Sequence, residues 1–415
     1  VDVHVRLLIS NDGFQDPGGV QTYLEAIVPG LASRGHDIAM LYLDHVPAMP
    51  SPETRQTLPH FSVGRDGLEQ ALAAVARWRP QICYSNNMSD LGVDRRLLAI
   101  APVVKFMHGY AGTCVSSLKM FGLPVPTPCH RKFGAACVAL YLPRRCGGLN
   151  VARIPGQYLW AREQHALFGG YAALIVASAH MKDEYVNNGA DGRHVHVNPL
   201  FVSGTRLPRE PGDDIPDIPA SVVFLGRMTR LKGGDLLVRA VAQASARLGT
   251  PVHLTMVGDG PERVTWERLA SHLNVAATFT GWQSGAERWR WIQRATLLAV
   301  PSVWPEPFGL VGLEAAVLGV PAIAFDVGGI REWLTSGENG YLIPGDPPRA
   351  SAFADGLVTA FREPATLRAM GEKALAMARY LSLDRHLDQL EEVLAGHLSP
   401  QPSALSPKPS ECASC

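Results

Sequence analysis

The sequence predicts an α/β protein made of two doubly wound parallel sheets, Rossmann-like, facing one another across a cleft. Three observations predict it. Short β-rich apolar runs alternate with longer stretches of helical period, the alternation occurs twice, and a proline-rich acidic segment separates the two occurrences. At 415 residues with 47% hydrophobic content, the chain has enough apolar material for two domains of about 200 residues each.

In the first half, strand-like runs fall near 4–10, 37–43, 81–85, 101–107 and 172–178, with helical spacing over 19–33, 67–78 and 179–188. In the second half, strands near 221–226, 252–257, 277–280, 296–300 and 321–325 alternate with helices near 233–248, 261–273, 284–294, 309–319 and 350–362. The joint is 205–220, where four prolines and adjacent acids exclude a packed element. Amphipathic patterns near 364–379 and 383–396 supply two last helices. The expected divisions are a first domain over 1–204, a second over 205–380, a C-terminal helix over 381–396, and a Ser/Pro tail over 397–415 that is expected to be disordered. Doubly wound sheets place ligand sites at the carboxyl ends of their strands, so two facing domains create one deep cleft.

Thirty-eight lysines and arginines balance 38 aspartates and glutamates, and no global charge points to nucleic acid or to a membrane. Locally the balance fails. From Arg95 to Arg162 there is no acid, against ten bases: Arg95, Arg96, Lys105, Lys119, Arg131, Lys132, Arg144, Arg145, Arg153 and Arg162. A positive face on the first domain would attract an anionic acceptor or lipid headgroups. Scattered solvated charges are the plain alternative, and the sequence leaves both open.

No run approaches the roughly 20 apolar residues that span a bilayer. The opening His4-Val5-Arg6-Leu7-Leu8-Ile9 reads as a strand and not as a signal peptide. The expectation is a cytoplasmic protein, peripheral at the inner face of a membrane if the basic face is used. The chain opens on Val1, and whether that is the true start is not legible.

A basic insertion over about 111–153 carries Cys114, Cys129, Cys137 and Cys146, four of the seven cysteines. An odd count without a secretory leader argues against a disulfide framework as the default. Four thiolates could hold a structural zinc or an iron–sulfur cluster. Unlinked buried thiols or disulfides are the other readings, and the absence of a Cys-x2-Cys pair in the segment leaves all three standing.

Three motifs carry chemistry. Asp16-Pro17-Gly18-Gly19-Val20 follows the first strand and opens a helix. Gly18 and Gly19 let backbone approach a ligand, and the helix end offers free N–H groups to a phosphate. Gly226-Arg227-Met228-Thr229-Arg230-Leu231-Lys232-Gly233-Gly234 follows the first strand of the second domain. There the forked guanidinium of Arg227 and the ammonium of Lys232 suit a pyrophosphate. In Pro301-Ser302-Val303-Trp304-Pro305-Glu306-Pro307-Phe308-Gly309-Leu310-Val311-Gly312-Leu313-Glu314 a strand end, a turn and a helix start combine. A hydrolase would hold its two carboxylates about 5–9.5 Å apart. Eight residues at about 1.5 Å each would separate Glu306 and Glu314 by roughly 12 Å. They suit two ends of one long ligand.

With these residues the chain resembles a retaining glycosyltransferase of family 4, of GT-B architecture, over about 4–380. The markers are Gly18-Gly19, Arg227 with Lys232, the Glu-x7-Glu pair, and Val327-Gly328-Gly329-Ile330-Arg331-Glu332 followed by Gly340 and Gly345-Asp346. The resemblance implies that Arg227 and Lys232 bind the donor diphosphate, Glu314 the ribose, and Glu306 a sugar hydroxyl. Phe308, Gly309 and Leu310 would present backbone N–H groups. His108, after the strand near 101–107, would stand beside the anomeric carbon; a hydrogen-bonded structural histidine is its plain alternative.

The implied reaction moves a sugar from a nucleotide-diphosphate sugar, such as a UDP-sugar, to a glycan, glycolipid or other acceptor. Polysaccharide or glycolipid assembly is the usual context. Arg227, Lys232 and helix-end N–H groups would stabilise the departing diphosphate, with no cofactor required for catalysis and no metal. The same architecture admits a sugar-nucleotide epimerase, a phosphorylase or an inactive binding subunit. His36, Asp37, Trp289 and Trp291 are expected to be structural, the first two capping the turn before the second strand.

Overall fold

A computed structural model describes residues 4–13, 19–43, 58–202 and 220–398. Gly18, nearly all of the 205–220 joint and the tail from 399 onward lie outside the described residues.

The first sheet has seven strands in the order His60–Ser62, Asp37–Tyr42, Arg6–Asn11, Ile82–Ser85, Val103–Met107, Ala173–Val176 and Val195–Val197. The second has six, in the order Ala277–Gly281, His253–Val257, Ser221–Leu225, Leu297–Val300, Ala322–Asp326 and Gly340–Pro344. All pairings in both are parallel. In each sheet the winding reverses beside the first strand, and the crevice at such a reversal is where this fold class binds ligands. The loops after Ser221–Leu225 and Leu297–Val300 therefore border one crevice, and those after Arg6–Asn11 and Ile82–Ser85 the other.

Every strand expected from the sequence is present, with ends shifted by no more than two residues. Val103–Met107 and Leu297–Val300 are buried at every position. Helices cover both faces of such a sheet, so its strands read as continuous apolar runs. Three strands of these two sheets were not expected: His60–Ser62, Val195–Val197 and Gly340–Pro344. Two of them are only three residues long at sheet edges, and the third opens on Gly340 and closes on Pro344, a composition that reads as loop. The helix Ile154–Ala166 was missed too, because Pro155 and Gly156 open it and it carries almost no amphipathic stripe.

The last helix, Leu383–Ala395, returns to the first domain and packs on the helix Gly19–Ser33. Its Leu387, Leu390 and Leu394 are buried, and Leu387 Cδ1 lies where a Cβ on Gly30 would come within 2.7 Å. Arg34 reaches Asp388 at 2.6 Å and Glu391 at 2.8 Å. His36 Nε2 stands 2.9 Å from Glu391 Oε1. His36 thus ties two distant segments together instead of only capping its turn.

Beneath this clasp His386 is buried in a polar chain. Its Nδ1 donates to the Pro199 carbonyl at 2.8 Å, and its Nε2 meets Tyr23 OH at 2.8 Å, which in turn meets Tyr84 OH at 2.6 Å. Burial pushes the His386 pKa down to about 4 against the opposing pull of the Pro199 carbonyl. The folded value lies below the ordinary 6.5. The contribution of this histidine is therefore complete above pH 6.5 and is lost as pH falls toward 4. Urea denaturation across that window should show wild type losing stability more steeply than His386→Gln, by about 1.4 kcal/mol per pH unit. Equal slopes would show that another group titrates.

Candidate active site

The site begins at a strand end of the second domain. After Ser221–Leu225 the chain turns through Gly226 and Arg227, and the Met228 N–H donates to the Asp259 carbonyl at 2.8 Å, which pins the loop to its neighbour. Arg227 is exposed and has no acid partner among the described residues. Five residues on, Lys232 is half-buried over the Trp304 ring, 5.7 Å from its centre. Gly233 follows at φ +62°, and a Cβ there would lie 2.0 Å from the Pro301 carbonyl oxygen. Glycine is what allows the two strand ends to touch.

Opposite Lys232 stands Glu306. Its Oε1 accepts from Lys232 Nζ at 2.6 Å and from Ser302 Oγ at 2.5 Å, and the residue is 5% exposed. The backbone of Glu306 is held by the Gly-Gly pair that follows Ala322–Asp326. The Gly329 N–H donates to the Glu306 carbonyl at 2.7 Å, and a Cβ on Gly328, at φ +59°, would fall 2.2 Å from that same oxygen. The amides of Phe308, Gly309 and Leu310 donate to no backbone carbonyl among the described residues, while Trp333 Nε1 donates to the Phe308 carbonyl at 2.7 Å and fixes the turn. Glu314 sits in the short helix Val311–Ala316. Arg288 Nη2 lies 3.0 Å from its Oε1, but its Oε2 and the Arg288 Nε are buried without partners. Burial raises the Glu314 pKa and Arg288 opposes the rise.

The first domain contributes His108, one residue beyond Val103–Met107. Its ring stacks on Phe106 at 4.4 Å between centres, and its Nε2 donates to Asn86 Oδ1 at 3.0 Å. Asn86 lies just beyond the strand Ile82–Ser85, at the winding reversal. Burial first, then the charges of Lys105 and His386, push the His108 pKa down to about 3. The ring is neutral at ordinary pH. A neutral imidazole with one nitrogen engaged can hydrogen-bond a hydroxyl but carries no fixed charge.

The two halves meet here. Tyr110, two residues past His108, packs edge-on against Trp304 at 6.5 Å between centres and against His180 at 6.1 Å. Tyr110 OH, His180 Nε2 and Trp304 Nε1 are all buried without a partner. Three polar groups gathered without partners leave hydrogen-bonding capacity that a polar ligand can meet. Nearby, Glu332 Oε1 accepts the Ala179 N–H at 2.6 Å, and a Cβ on Gly329 would press on Ser178 at 2.7 Å.

Among the predicted residues, Lys232 and Glu306 are in direct contact, with Phe308, Gly309, Leu310 and Glu314 on the same turn and helix. His108 joins them through the Tyr110–Trp304 contact. Gly19 opens the helix Gly19–Ser33, exposed and with open space where a Cβ would stand. Sequence reasoning missed Asn86, Tyr110, Ser302, Trp304 and Arg288. Only Ser302 and Trp304 sat inside a motif.

Cys114, Cys129, Cys137 and Cys146 are free thiols in the insertion. Burial first, then Cys114, Cys129 and Cys137, push the Cys146 thiol up to about 11, so the four lie within electrostatic reach of one another. Among the described residues no group of three or more His, Cys, Asp or Glu side chains is set to hold a metal ion.

The profile of the family described as "Glycosyl transferases group 1" matches residues 212–377. The chain is 34% identical over 237 residues to a D-inositol 3-phosphate glycosyltransferase of Rhodococcus opacus (strain B4), covering 53% of this chain and 52% of that protein. It is 30% identical over 300 residues to the protein of the same description from Rhodococcus erythropolis, covering 70% of this chain and 62% of that one. The chain thus spans between half and two thirds of the length of these curated relatives. Among solved structures, it superposes on Anabaena HepE in complex with UDP and glucose with a TM-score of 0.66 at 18% identity, over 95% of this chain and 100% of that one. A sucrose-phosphate synthase from Thermosynechococcus elongatus gives a TM-score of 0.66 at 20% identity, over 95% and 99% of the two chains. The architecture is GT-B, two Rossmann-like parallel sheets, as the sequence predicted.

The glycine constraint can be measured without any ligand. Gly328→Ala forces a side chain into a left-handed position and onto the Glu306 carbonyl, and should lower the unfolding free energy by about 1–3 kcal/mol or more. Gly19→Ala, with open space at its Cβ, should change it by less than about 1 kcal/mol. Denaturant titration of the two variants checks both, and equal effects would contradict the packing described.

Proposed function

We propose that the chain transfers a glycosyl group from a nucleoside-diphosphate sugar to an acceptor hydroxyl, with retention at the anomeric carbon. The observation that carries this reading is the Lys232–Glu306 contact of 2.6 Å at the winding reversal of the second sheet, with the exposed, unpaired Arg227 on the same loop. A cation pair beside backbone N–H groups suits a diphosphate, and a carboxylate beside them suits a sugar hydroxyl. The match of the second half to group 1 glycosyl transferases supports the same assignment.

In this mechanism the bond between the anomeric carbon and the diphosphate oxygen breaks, and its electron pair stays on the diphosphate. Arg227 and Lys232 neutralise that charge as it develops. The acceptor oxygen forms the new bond from the face the diphosphate leaves, and the acceptor proton passes to the departing oxygen. Neutral His108, held by Asn86, bonds a hydroxyl of the sugar, and Glu306 takes another once the diphosphate engages Lys232. Glu314 and Arg288, with one unpartnered oxygen and one unpartnered nitrogen, suit the vicinal hydroxyls of ribose. Tyr110, His180 and Trp304 suit the hydroxyls of a polar acceptor. The similarity to D-inositol 3-phosphate glycosyltransferases and the UDP of the superposed structure favour a polyhydroxylated acceptor and a uridine donor.

A thermal-shift screen of uridine- and guanosine-diphosphate sugars, followed by product analysis with polyol acceptors, tests the reading. The expected result is a uridine donor, net transfer, and a loss of at least about 100-fold in kcat/KM for Lys232→Ala. A changed free donor sugar without transfer would point to an epimerase or phosphorylase. Unaltered donor binding in Lys232→Ala would point to a binding subunit.

A further inference from the structure

The acid-free stretch from Arg95 to Arg162 resolves, in three dimensions, into two groups of cations. Arg95 pairs with Glu163 at 2.5 Å, Arg96 with Glu69 at 2.6 Å, Lys105 with Asp94 at 2.8 Å, and Lys119 with Glu184 at 2.7 Å. Arg144 lies over the Phe121 ring at 4.3 Å. The remaining five, Arg131, Lys132, Arg145, Arg153 and Arg162, are exposed and have no acid partner among the described residues.

Apolar side chains gather on the same segment. Of the ten large hydrophobic side chains exposed on the described residues, six fall between 125 and 159. Leu149, Val151 and Leu159 are 64%, 60% and 59% exposed. On the helix Ile154–Ala166, the exposed Pro155, Leu159 and Arg162 recur at intervals of four and three and so share one face. The neighbouring helix Ala136–Tyr141, with exposed Val138 and then Leu142, is fastened to it by Tyr141 OH donating to Gln157 at 2.8 Å and by Phe133 against Tyr158 at 5.4 Å. Apart from these contacts the insertion has little core of its own, with Val115, Tyr141 and Ile154 as its buried apolar cluster.

Unpaired cations alone would suit any polyanion. Exposed aliphatic side chains interleaved with them suit a bilayer interface, where cations meet headgroup phosphates and apolar groups enter the acyl boundary. A nucleic acid or a free phosphate would give the aliphatic groups nothing to bury against. We propose that residues 125–162 form a docking surface for anionic lipid bilayers, with Arg131, Lys132, Arg145, Arg153 and Arg162 on lipid phosphates and Leu149, Val151 and Leu159 inserted at the interface. Among the described residues no helix is long and apolar enough to cross a membrane. This inference does not rest on the glycosyl-transfer reading, and its test needs neither donor nor acceptor.

Flotation of the full chain with vesicles of phosphatidylcholine alone, and of phosphatidylcholine with phosphatidylglycerol, reads the partition directly. The chain should float with the anionic vesicles only, and high salt should release it. The triple variant Arg145→Gln, Arg153→Gln, Arg162→Gln should lower the partition on the order of 100-fold. The triple variant Leu149→Ser, Val151→Ser, Leu159→Ser should keep the lipid preference but bind at least about tenfold more weakly. Both should melt within about 2 °C of wild type, since all six side chains are solvated. Equal flotation on the two compositions, no flotation on either, or variants that partition like wild type would overturn the proposal. So would binding to duplex DNA without binding to vesicles.

Discussion

A carboxylate and an ammonium held at contact distance by backbone that only glycine allows to close up sets the geometry of this cleft. Glu306 Oε1 receives Lys232 Nζ and Ser302 Oγ. The two loops that bring them together meet at Gly233 against Pro301 and at Gly328 against Glu306 itself. Removing one partner of a buried pair costs about 3–5 kcal/mol, because the other charge is left uncompensated. Lys232 keeps some contact with water, so the cost here falls below that range. The pair is nonetheless part of the fold before it is part of any chemistry, and a ligand that draws Lys232 away must supply a replacement for Glu306.

The opposite wall is organised on a different principle. His108 is kept neutral by burial, and its orientation is fixed by Asn86 and Phe106. Charge is thus concentrated on the second sheet, while the first presents neutral hydrogen-bonding groups. That asymmetry suits a reaction in which negative charge collects on one end of a ligand and the other end is a polyol. The halves are held in register at two places: by Gly329 on Ser178 with Ala179 on Glu332, and by the last helix, which clasps the first domain and sets His386 against the Phe106 ring. The clasp explains why residues close to the C-terminus share a hydrogen-bond chain with Tyr23 and Tyr84.

What the sequence made legible was local. Buried parallel strands announce themselves as apolar runs, and Lys232, Glu306 and Glu314 lie in motifs whose neighbours along the chain are also their neighbours in space. What it hid was the product of closure. Asn86 meets His108 across 22 positions, and Tyr110 meets Trp304 from the other domain, with nothing in either segment to mark the partnership. Arg288 reads as one base on a helical stretch, and only the folded chain sets it beside Glu314. The basic stretch was visible as composition, but which of its cations are neutralised depends on Glu69, Asp94, Glu163 and Glu184, acids that lie outside it. Edge strands of three residues are too short for any period to register.

Convergence of groups from both sheets on one ligand is tested most directly by amide hydrogen exchange with and without a uridine-diphosphate sugar. Residues 226–234 and 302–311 of the second domain and residues 106–111 of the first should gain protection together at the same ligand concentration. Protection confined to one domain, or placed away from Lys232, Glu306 and His108, would contradict it.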